Sequence, residues 1–482
     1  MSAAPGIATG GLAQKTMGSV EVLAQSVAGI APSAVMATGP ALIVATAGNG
    51  AWLSYLLAMV AVVLIGLCVA QFGSRIASAG SLYSYVARSL GSGGAFTAGW
   101  GLVIGYAFIA MIGVVGVGIY GGRLLADAGL PAESTPAQVI IFAVTATAAV
   151  AFARAGIKLS TRLGLILEII SITAILILLV ITVVRHGATP DSAQIQLTGS
   201  SANGITFGVV LATLGFVGFE SAAALGAEAK DPHRAIPRAV LTSAVVVGVL
   251  YVFAAYVSIL GLGADTLGSS GAPMDDLAKT IGLSAFRYVI DLGVAASFFA
   301  VIIASINAAA RILYTMAHER ILAAPLRLTH VRHRTPHIAI LVLLPIILLV
   351  PAVMVIAGVT PLNVYAYTGT IGTFGYLTAY LLMAAGMPVF RQRLQAAHPY
   401  HWVLAVVTVA AVVYIVYKNL VPIPPSPYNV LPYIYLGLLA VGVAWYIAVR
   451  LHSPERARLV GTHEVGTSDS TSRAEPLDAA KY

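Results

Sequence analysis

One acidic residue, Glu220, lies deep within a long apolar stretch and follows a pair of glycines, Gly215 and Gly218. A carboxylate without a partner is costly in a hydrocarbon environment, so an acid at such a position marks a functional site more often than it supports packing. Burial also favours the neutral form of a carboxyl over the charged form. We therefore interpret Glu220 as a proton-binding group.

Three further acids, Glu21, Glu168 and Asp291, also fall within apolar runs. Glu21 and Asp291 lie near the ends of their runs, where a side chain can reach the polar interface. Glu168 lies about one helical turn inside its run and beside a basic loop. The sequence therefore predicts that Glu168 has a structural role and pairs with Arg162 or Arg154.

Helix-breaking residues in two apolar runs indicate a site between them. The first run contains residues 29–33 (Gly-Ile-Ala-Pro-Ser), and the sixth contains Gly215 and Gly218 just before Glu220. A break leaves backbone groups without helical partners, which a membrane tolerates only where protein or a cavity satisfies them. A kink without function is the alternative for each break alone. Because the breaks lie five runs apart, they also fit corresponding positions in two inverted repeats.

Half-helices at such breaks suit a small zwitterion. The start of a half-helix offers free N–H groups and a positive dipole end to a carboxylate, and the end of one offers carbonyl groups to an ammonium group or a cation. Tyr106, in a glycine-rich run, either lines the same cavity or anchors helix packing. The residues that these features predict to contact a substrate are Gly29, Ile30, Ala31, Ser33, Tyr106 and Gly218.

The composition places these residues in a membrane protein. Of 482 residues, 59% are hydrophobic and only 9% are charged, whereas a soluble domain carries about 25% charged residues. Since about 20 apolar residues cross the hydrocarbon core, the run lengths predict an all-α polytopic membrane protein with 12 transmembrane helices. The predicted spans are 20–46, 50–72, 95–121, 137–153, 163–184, 204–227, 238–262, 284–310, 337–358, 363–386, 401–420 and 432–450.

The basic residues predict the orientation of the chain. With the N-terminus in the cytoplasm, only 5 of the 26 Lys and Arg residues lie outside and 21 lie inside, as the positive-inside rule requires. Residues 1–19 and both termini are therefore predicted to be cytoplasmic. The polar tail 452–482 is predicted to be disordered. The net charge of +8 reflects this topology, so no nucleic-acid partner is expected.

Three motifs resemble those of the amino acid–polyamine–organocation (APC) superfamily. Residues 216–239, FVGFESAAALGAEAKDPHRAIPRA, are similar to the sixth span of the superfamily and the loop after it. Residues 78–91, which begin SAGSLYSY, are similar to its short helix after the second span. The pattern Asn307-x-x-x-Arg311-x-x-Tyr314 is similar to the inner end of its eighth span. The resemblance covers residues 20–450, nearly the whole chain.

The resemblance implies a LeuT-type 5+5 inverted repeat, with the repeats at 20–184 and 204–386, followed by two helices within 401–450. It also implies a substrate held by spans 1, 3, 6, 8 and 10, with Glu220 as the acid beside the gate. The residues that the resemblance adds to the site are Phe216 as a gating aromatic, Ser305 and Asn307 from span eight, and Tyr365 from span ten.

We therefore expect a secondary active transporter in the cell membrane that moves amino acids by alternating access, either coupled to protons or by exchange. A permease for polyamines or other organic cations is the alternative, because one buried acid can pair with an amine. An enzyme is not expected, since the sequence has no H-E-x-x-H, G-x-S-x-G or Walker motif. We expect no cofactor and no metal site, and a monomer or a homodimer in the lipid bilayer.

Overall fold

The described part of the chain is mostly α-helical. The computed structural model describes residues 7–8 and 12–462, except positions 133, 188, 422, 424 and 425. The helices are α1 (Ser19–Ile30), α2 (Pro32–Ala47), α3 (Ala51–Gly73), α4 (Leu82–Asp127), α5 (Thr135–Arg154), α6 (Ile157–Arg185), α7 (Ser192–Ile195), α8 (Ala202–Leu214), α9 (Pro232–Leu262), α10 (Ala264–Ser269), α11 (Pro273–Thr280), α12 (Arg287–His318), α13 (His337–Ile356), α14 (Pro361–Arg393), α15 (Pro399–Leu420), α16 (Leu431–His452) and α17 (Pro454–Arg458). Short 3-10 helices lie at Gly48–Gly50, Phe219–Leu225, Ser284–Phe286 and Ala324–Arg327. Strands β1 (Ile7–Ala8) and β2 (Thr329–His330) pair in antiparallel orientation.

Eleven of the described helical stretches are long and apolar enough to cross a membrane. The first, Ser19–Gly73, has 55 residues and combines α1, α2 and α3, whereas one crossing needs only about 20 residues. The count of 12 from the sequence divides this stretch into two spans. Helices α15 and α16 are the most exposed of the eleven, and side chains such as Val406 and Val441 give them an apolar outer surface that suits lipid. The chain is therefore a multi-pass membrane protein.

Both predicted helix breaks are confirmed. Helix α1 ends just before Ala31, which adopts a left-handed conformation (φ 54°, ψ 60°), and α2 begins at Pro32. Proline has no N–H to continue the helix, so the hydrogen-bond ladder stops there. Helix α8 ends four residues before Gly218 (φ 97°), which leads into the 3-10 helix Phe219–Leu225. A positive φ is costly for residues with a Cβ, which explains glycine at this position.

The two breaks meet backbone to backbone. A Cβ atom added to Gly29 would lie 2.7 Å from the carbonyl oxygen of Gly218 and 2.7 Å from Ser221 Oγ, closer than van der Waals contact allows. The Ser221 hydroxyl also donates a hydrogen bond to the carbonyl oxygen of Gln25 at 3.0 Å. Glycine at positions 29 and 218 therefore lets the first and sixth spans touch where both are interrupted.

Glycines also bring α4 close to α14. A Cβ atom added to Gly105 would lie 2.9 Å from the ring of Tyr376, and one added to Gly375 would lie 2.9 Å from the backbone nitrogen of Gly105. Small residues at a helix interface permit this approach of two backbones in a membrane. The contact places Tyr106 of α4 beside the face of α14 that carries Tyr376 and Tyr380.

One end of the bundle, which we call the Arg311 end, is closed by buried polar contacts. Arg311 of α12 donates to both carboxylate oxygens of Glu228, at 2.6 and 2.8 Å, and neither side chain is exposed. The N-terminal segment crosses this end, where the Met17 N–H donates to the carbonyl oxygen of Glu228 and the Lys230 N–H donates to that of Met17, both at 2.9 Å. The N-terminal segment and the chain that follows the sixth-span break therefore seal the same end.

The beginning of the C-terminal tail is structured, which corrects the prediction of disorder over 452–482. Helix α17 follows α16 directly, and the Gly461 N–H donates to Glu319 Oε1 at 2.8 Å. Glu319 is buried just after α12, so the tail packs against the Arg311 end. Burial of this contact explains why a polar segment is ordered here. Residues 463–482 of the predicted tail lie outside the described residues.

Candidate functional site

Glu220 lies directly after the break in the sixth span and is completely buried. Tyr106 of α4 donates to Glu220 Oε1 at 2.7 Å, and Tyr380 of α14 donates to Glu220 Oε2. No ion pair among the described residues includes Glu220. Each carboxylate oxygen therefore accepts a hydrogen bond, but no basic side chain neutralises the charge. This carboxyl can therefore still bind a proton or a positively charged ligand.

Protonation of Glu220 would change its contacts with both tyrosines. A carboxylate only accepts hydrogen bonds, whereas a protonated carboxyl also donates one. A tyrosine hydroxyl that faces the protonated oxygen must then turn away or become the acceptor. Loss of the charge also weakens the bond from the tyrosine on the other oxygen. Because Tyr106 and Tyr380 belong to different helices, one proton can alter the contacts of α4 and α14 together.

The sequence pattern does not single out the two tyrosines of α14 at this site, Tyr376 and Tyr380. The ring of Tyr376 meets that of Tyr106 edge to face, with centroids 5.1 Å apart. Its buried hydroxyl has no hydrogen-bond partner among the described residues. The signal that the sequence offered was the spacing, because residues four apart share one helix face.

Glu168 binds the beginning of half-helix α2, so the predicted pairing with Arg162 or Arg154 is wrong. Glu168 is completely buried, and its Oε1 accepts from the Ser33 N–H at 2.9 Å and from Ser33 Oγ at 2.6 Å. Arg162 instead donates to Glu21 Oε1, at 2.8 and 3.1 Å. Residues six apart lie on different faces of a helix, so Arg162 and Glu168 of α6 meet different neighbours.

Phe216 is held within the sixth-span break by α9. Its ring meets that of Tyr251 edge to face, with centroids 5.0 Å apart, and it is almost fully buried. The Tyr251 hydroxyl also donates to the carbonyl oxygen of Gly215 at 2.8 Å. One side chain therefore contacts both the predicted gating ring and the interrupted backbone. Tyr365 of α14 is half-buried and meets Phe298 edge to face at 5.9 Å.

The residues predicted from span eight lie on α12 and are buried. Asn307 Nδ2 donates to Ser160 Oγ at 3.0 Å, and the carbonyl oxygen of Asn307 accepts from Arg311 at 2.7 Å. Asn307 therefore belongs to the Arg311 end and shares no hydrogen bond with Glu220 among the described residues. Ser305 is 1% exposed on the same helix. The first-span residues Ile30 and Ala31 are each 4% exposed at the junction of the breaks.

Broken helices that meet beside buried carboxyls, within a multi-pass helical bundle, define a membrane transport protein. The comparison with known families makes this assignment specific. The model of the amino acid permease family matches residues 21–454, and the chain belongs to this family. The protein is therefore a transporter of amino acids or related organic solutes, as the APC motifs indicate.

Relatives with named solutes are about a quarter identical to this chain over the aligned residues. Identity is 24% over 365 residues with the branched-chain amino acid permease BcaP of Bacillus subtilis, covering 72% of this chain and 75% of that protein. It is 26% with the methylthioribose transporter of Bacillus subtilis, covering 63% of this chain and 65% of that protein. It is 27% with cationic amino acid transporter 4 of Mus musculus, covering 67% of this chain and 54% of that protein. The names differ in their solutes, so similarity alone assigns no particular substrate.

Proposed function

We propose that the protein is a secondary active transporter that moves amino acids across the cell membrane by alternating access, either coupled to protons or by exchange. The observation that carries the proposal is the buried carboxyl of Glu220, bound by Tyr106 and Tyr380 beside the junction of two broken helices. Such a group requires neutralisation in a low-dielectric site, and here it also contacts two helices. Binding of a proton or an amine can therefore change helix packing.

The proposed architecture is a LeuT-type 5+5 inverted repeat. It has 12 crossings when Ser19–Gly73 is counted as two, with repeats at 20–184 and 204–386, two further helices within 401–450, and both termini in the cytoplasm. The breaks in the first and sixth spans support this architecture, because corresponding spans of two five-helix repeats are five apart. The contact between Gly29 and Gly218 supports it further, since it brings both breaks to one site.

We place the substrate beside this junction. The proposed contacts are Gly29, Ile30, Ala31 and Ser33 from the first span, Tyr106 from the third, Phe216 and Gly218 from the sixth, Ser305 from the eighth and Tyr365 from the tenth. Asn307 joins this set only when its bond to Ser160 breaks. We propose that this bond breaks when the Arg311 end opens, a step that also separates Arg311 from Glu228.

A permease for polyamines or other organic cations is the second candidate. The specific observation in its favour is that Glu168 and Glu220 are both completely buried. Neither is in an ion pair with a basic side chain of the described residues. Buried charges are normally paired, so a positively charged solute would supply the missing partner.

Transport by proteoliposomes tests the proposal. The full-length protein is reconstituted, and uptake of labelled amino acids and polyamines is measured with and without an inward proton gradient. We expect the gradient to increase uptake and Glu220→Gln to abolish that increase. Asp265→Asn is the matched control, because it neutralises an exposed acid of α10. If solute inside the proteoliposomes accelerates uptake and the proton gradient has no effect, the transport mechanism is exchange rather than proton coupling.

Two outcomes would contradict parts of this proposal. Failure to bind or transport any amine-bearing solute would contradict the assignment as an amino acid or amine transporter. Uptake that responds neither to the gradient nor to Glu220→Gln would contradict the role of Glu220 in coupling.

A further inference from the structure

The carboxylate of Glu168 already occupies the beginning of half-helix α2. Pro32, the first residue of α2, has no N–H, so Ser33 supplies the first available backbone donor. That N–H and the Ser33 hydroxyl both bind Glu168 Oε1, at 2.9 and 2.6 Å. The positive end of a half-helix is where a transporter stabilises the carboxylate of a substrate. In this protein a side chain of the chain itself holds that position.

The groups around Glu168 that can still form hydrogen bonds favour a ligand that donates hydrogen bonds. Glu168 Oε2 is buried and accepts no regular hydrogen bond among the described residues, and the buried Ser297 hydroxyl is the one side chain near enough to this carboxyl to act as a weak donor. An ammonium group carries three N–H donors and no acceptor, so it can satisfy both oxygens. A second carboxylate would bring no donor to Oε2 beyond the Ser297 hydroxyl and would be repelled by Glu168 in a low-dielectric site.

The charges at the junction of the breaks have one sign. Glu168 binds the first break, Glu220 follows the second, and the two breaks touch through Gly29 and Gly218. Among the described residues, neither carboxyl is in an ion pair. The fully buried arginine of α12, Arg311, is already bound to Glu228. The junction therefore offers acceptors to a positive solute and no basic side chain to a carboxylate.

We propose that Glu168 is a tethered substitute for a substrate carboxylate, and that the transported solute is an organic amine without an α-carboxylate. The inference rests on the proposed transport function and, between its two candidate substrate classes, selects organic cations over amino acids. Glu168 is then a specificity-determining residue. It fills the carboxylate position on α2 and directs its second oxygen to the ammonium group of the solute.

Matched pairs of solutes test this proposal. Each pair consists of an amino acid and the amine that results from its decarboxylation: leucine and isoamylamine, phenylalanine and phenylethylamine, ornithine and putrescine. Uptake of both members is measured in proteoliposomes that contain the full-length protein. A hydrogen bond to a charged group contributes about 1.5–3 kcal/mol, so we expect the amine of at least one pair to be preferred about tenfold or more.

Two variants of Glu168 distinguish the effect of its negative charge from the effect of its hydrogen bonds to the beginning of α2. Glu168→Gln removes the charge, and Glu168→Ala also frees the Ser33 N–H. We expect both to lower the ratio of amine to amino acid uptake about tenfold, with the larger gain in amino acid uptake for Glu168→Ala. Ser33→Ala keeps the carboxyl and removes one of its two bonds, so its effect on the ratio should be smaller. Thermal unfolding in detergent verifies that each variant is folded.

Glu21→Gln is the matched control, because Glu21 also links α1 to α6, through Arg162, but lies away from the beginning of α2. It should leave the ratio unchanged. A wild-type preference for the amino acid in every pair would overturn the inference, as would an unchanged ratio in Glu168→Gln. Absence of uptake of both members of every pair would contradict the transport function itself.

Discussion

The backbone of Gly29 lies so close to the carbonyl oxygen of Gly218 that a Cβ atom on Gly29 would be only 2.7 Å from it. This contact joins the two interrupted helices at the point where each loses its regular hydrogen bonds. The carboxyls of Glu168 and Glu220 are attached to the same two breaks. A change of charge at either one can therefore act on both half-helices.

Gly29→Ala should destabilise the protein and reduce transport. The added methyl group would overlap backbone and the Ser221 hydroxyl, and overpacking of this kind costs about 1–3 kcal/mol. Thermal unfolding in detergent and uptake by proteoliposomes measure the two effects. Gly437→Ala in α16 is the control, because a Cβ there meets nothing within 4 Å. Equal stability and uptake of both variants would show that the contact is unimportant.

Tyr380→Phe and Tyr106→Phe should each reduce transport about tenfold or more. Each variant removes one hydroxyl that donates to Glu220, and a hydrogen bond to a charged group contributes about 1.5–3 kcal/mol. Initial uptake rates measure the loss. The control is Tyr376→Phe, since the Tyr376 hydroxyl has no partner among the described residues. A loss in Tyr376→Phe as large as in the other two would contradict the assigned contacts.

Arg311→Met should destabilise the protein by about 3–5 kcal/mol, because it leaves Glu228 buried without a partner. Arg311→Met combined with Glu228→Gln should recover part of this loss, since no isolated charge then remains. Denaturant or thermal unfolding in detergent measures both. Arg234→Met removes an exposed ion pair with Asp231, 3.9 Å apart, and should change stability by less than about 1 kcal/mol. A single variant as stable as the double variant would contradict the argument.

The helix breaks could be predicted from the sequence because their causes are local. Pro32 lacks an N–H, and Gly218 has the freedom to adopt a positive φ, so neighbouring residues alone indicate an interruption. The apolar runs likewise predict the membrane spans, because a helix that crosses a membrane needs a minimum length and an apolar composition. Glu220 could be identified from the sequence for the same reason, because it is a charged residue in an apolar run, where burial of a charge is energetically unfavourable.

The partners of the acids could not be predicted, because they are set by how distant helices pack. Glu168 contacts Ser33, which is 135 positions away, whereas Arg162 of the same helix turns to Glu21. Tyr380 reaches Glu220 from 160 positions away, and its spacing from Tyr376 puts both on one helix face without indicating which helix that face meets. Helix α17 is ordered by a tertiary contact of Gly461 with Glu319, which local composition does not reveal.

The most direct test of the central claim is proton flux driven by solute. Proteoliposomes are loaded with a pH-sensitive dye, and the interior is monitored after an amine-bearing substrate is added outside. The Glu220 carboxyl is proposed to couple the proton to the solute, so wild type and Asp265→Asn should acidify the interior and Glu220→Gln should not. Equal acidification by wild type and Glu220→Gln, or no acidification by either, would contradict proton coupling through Glu220.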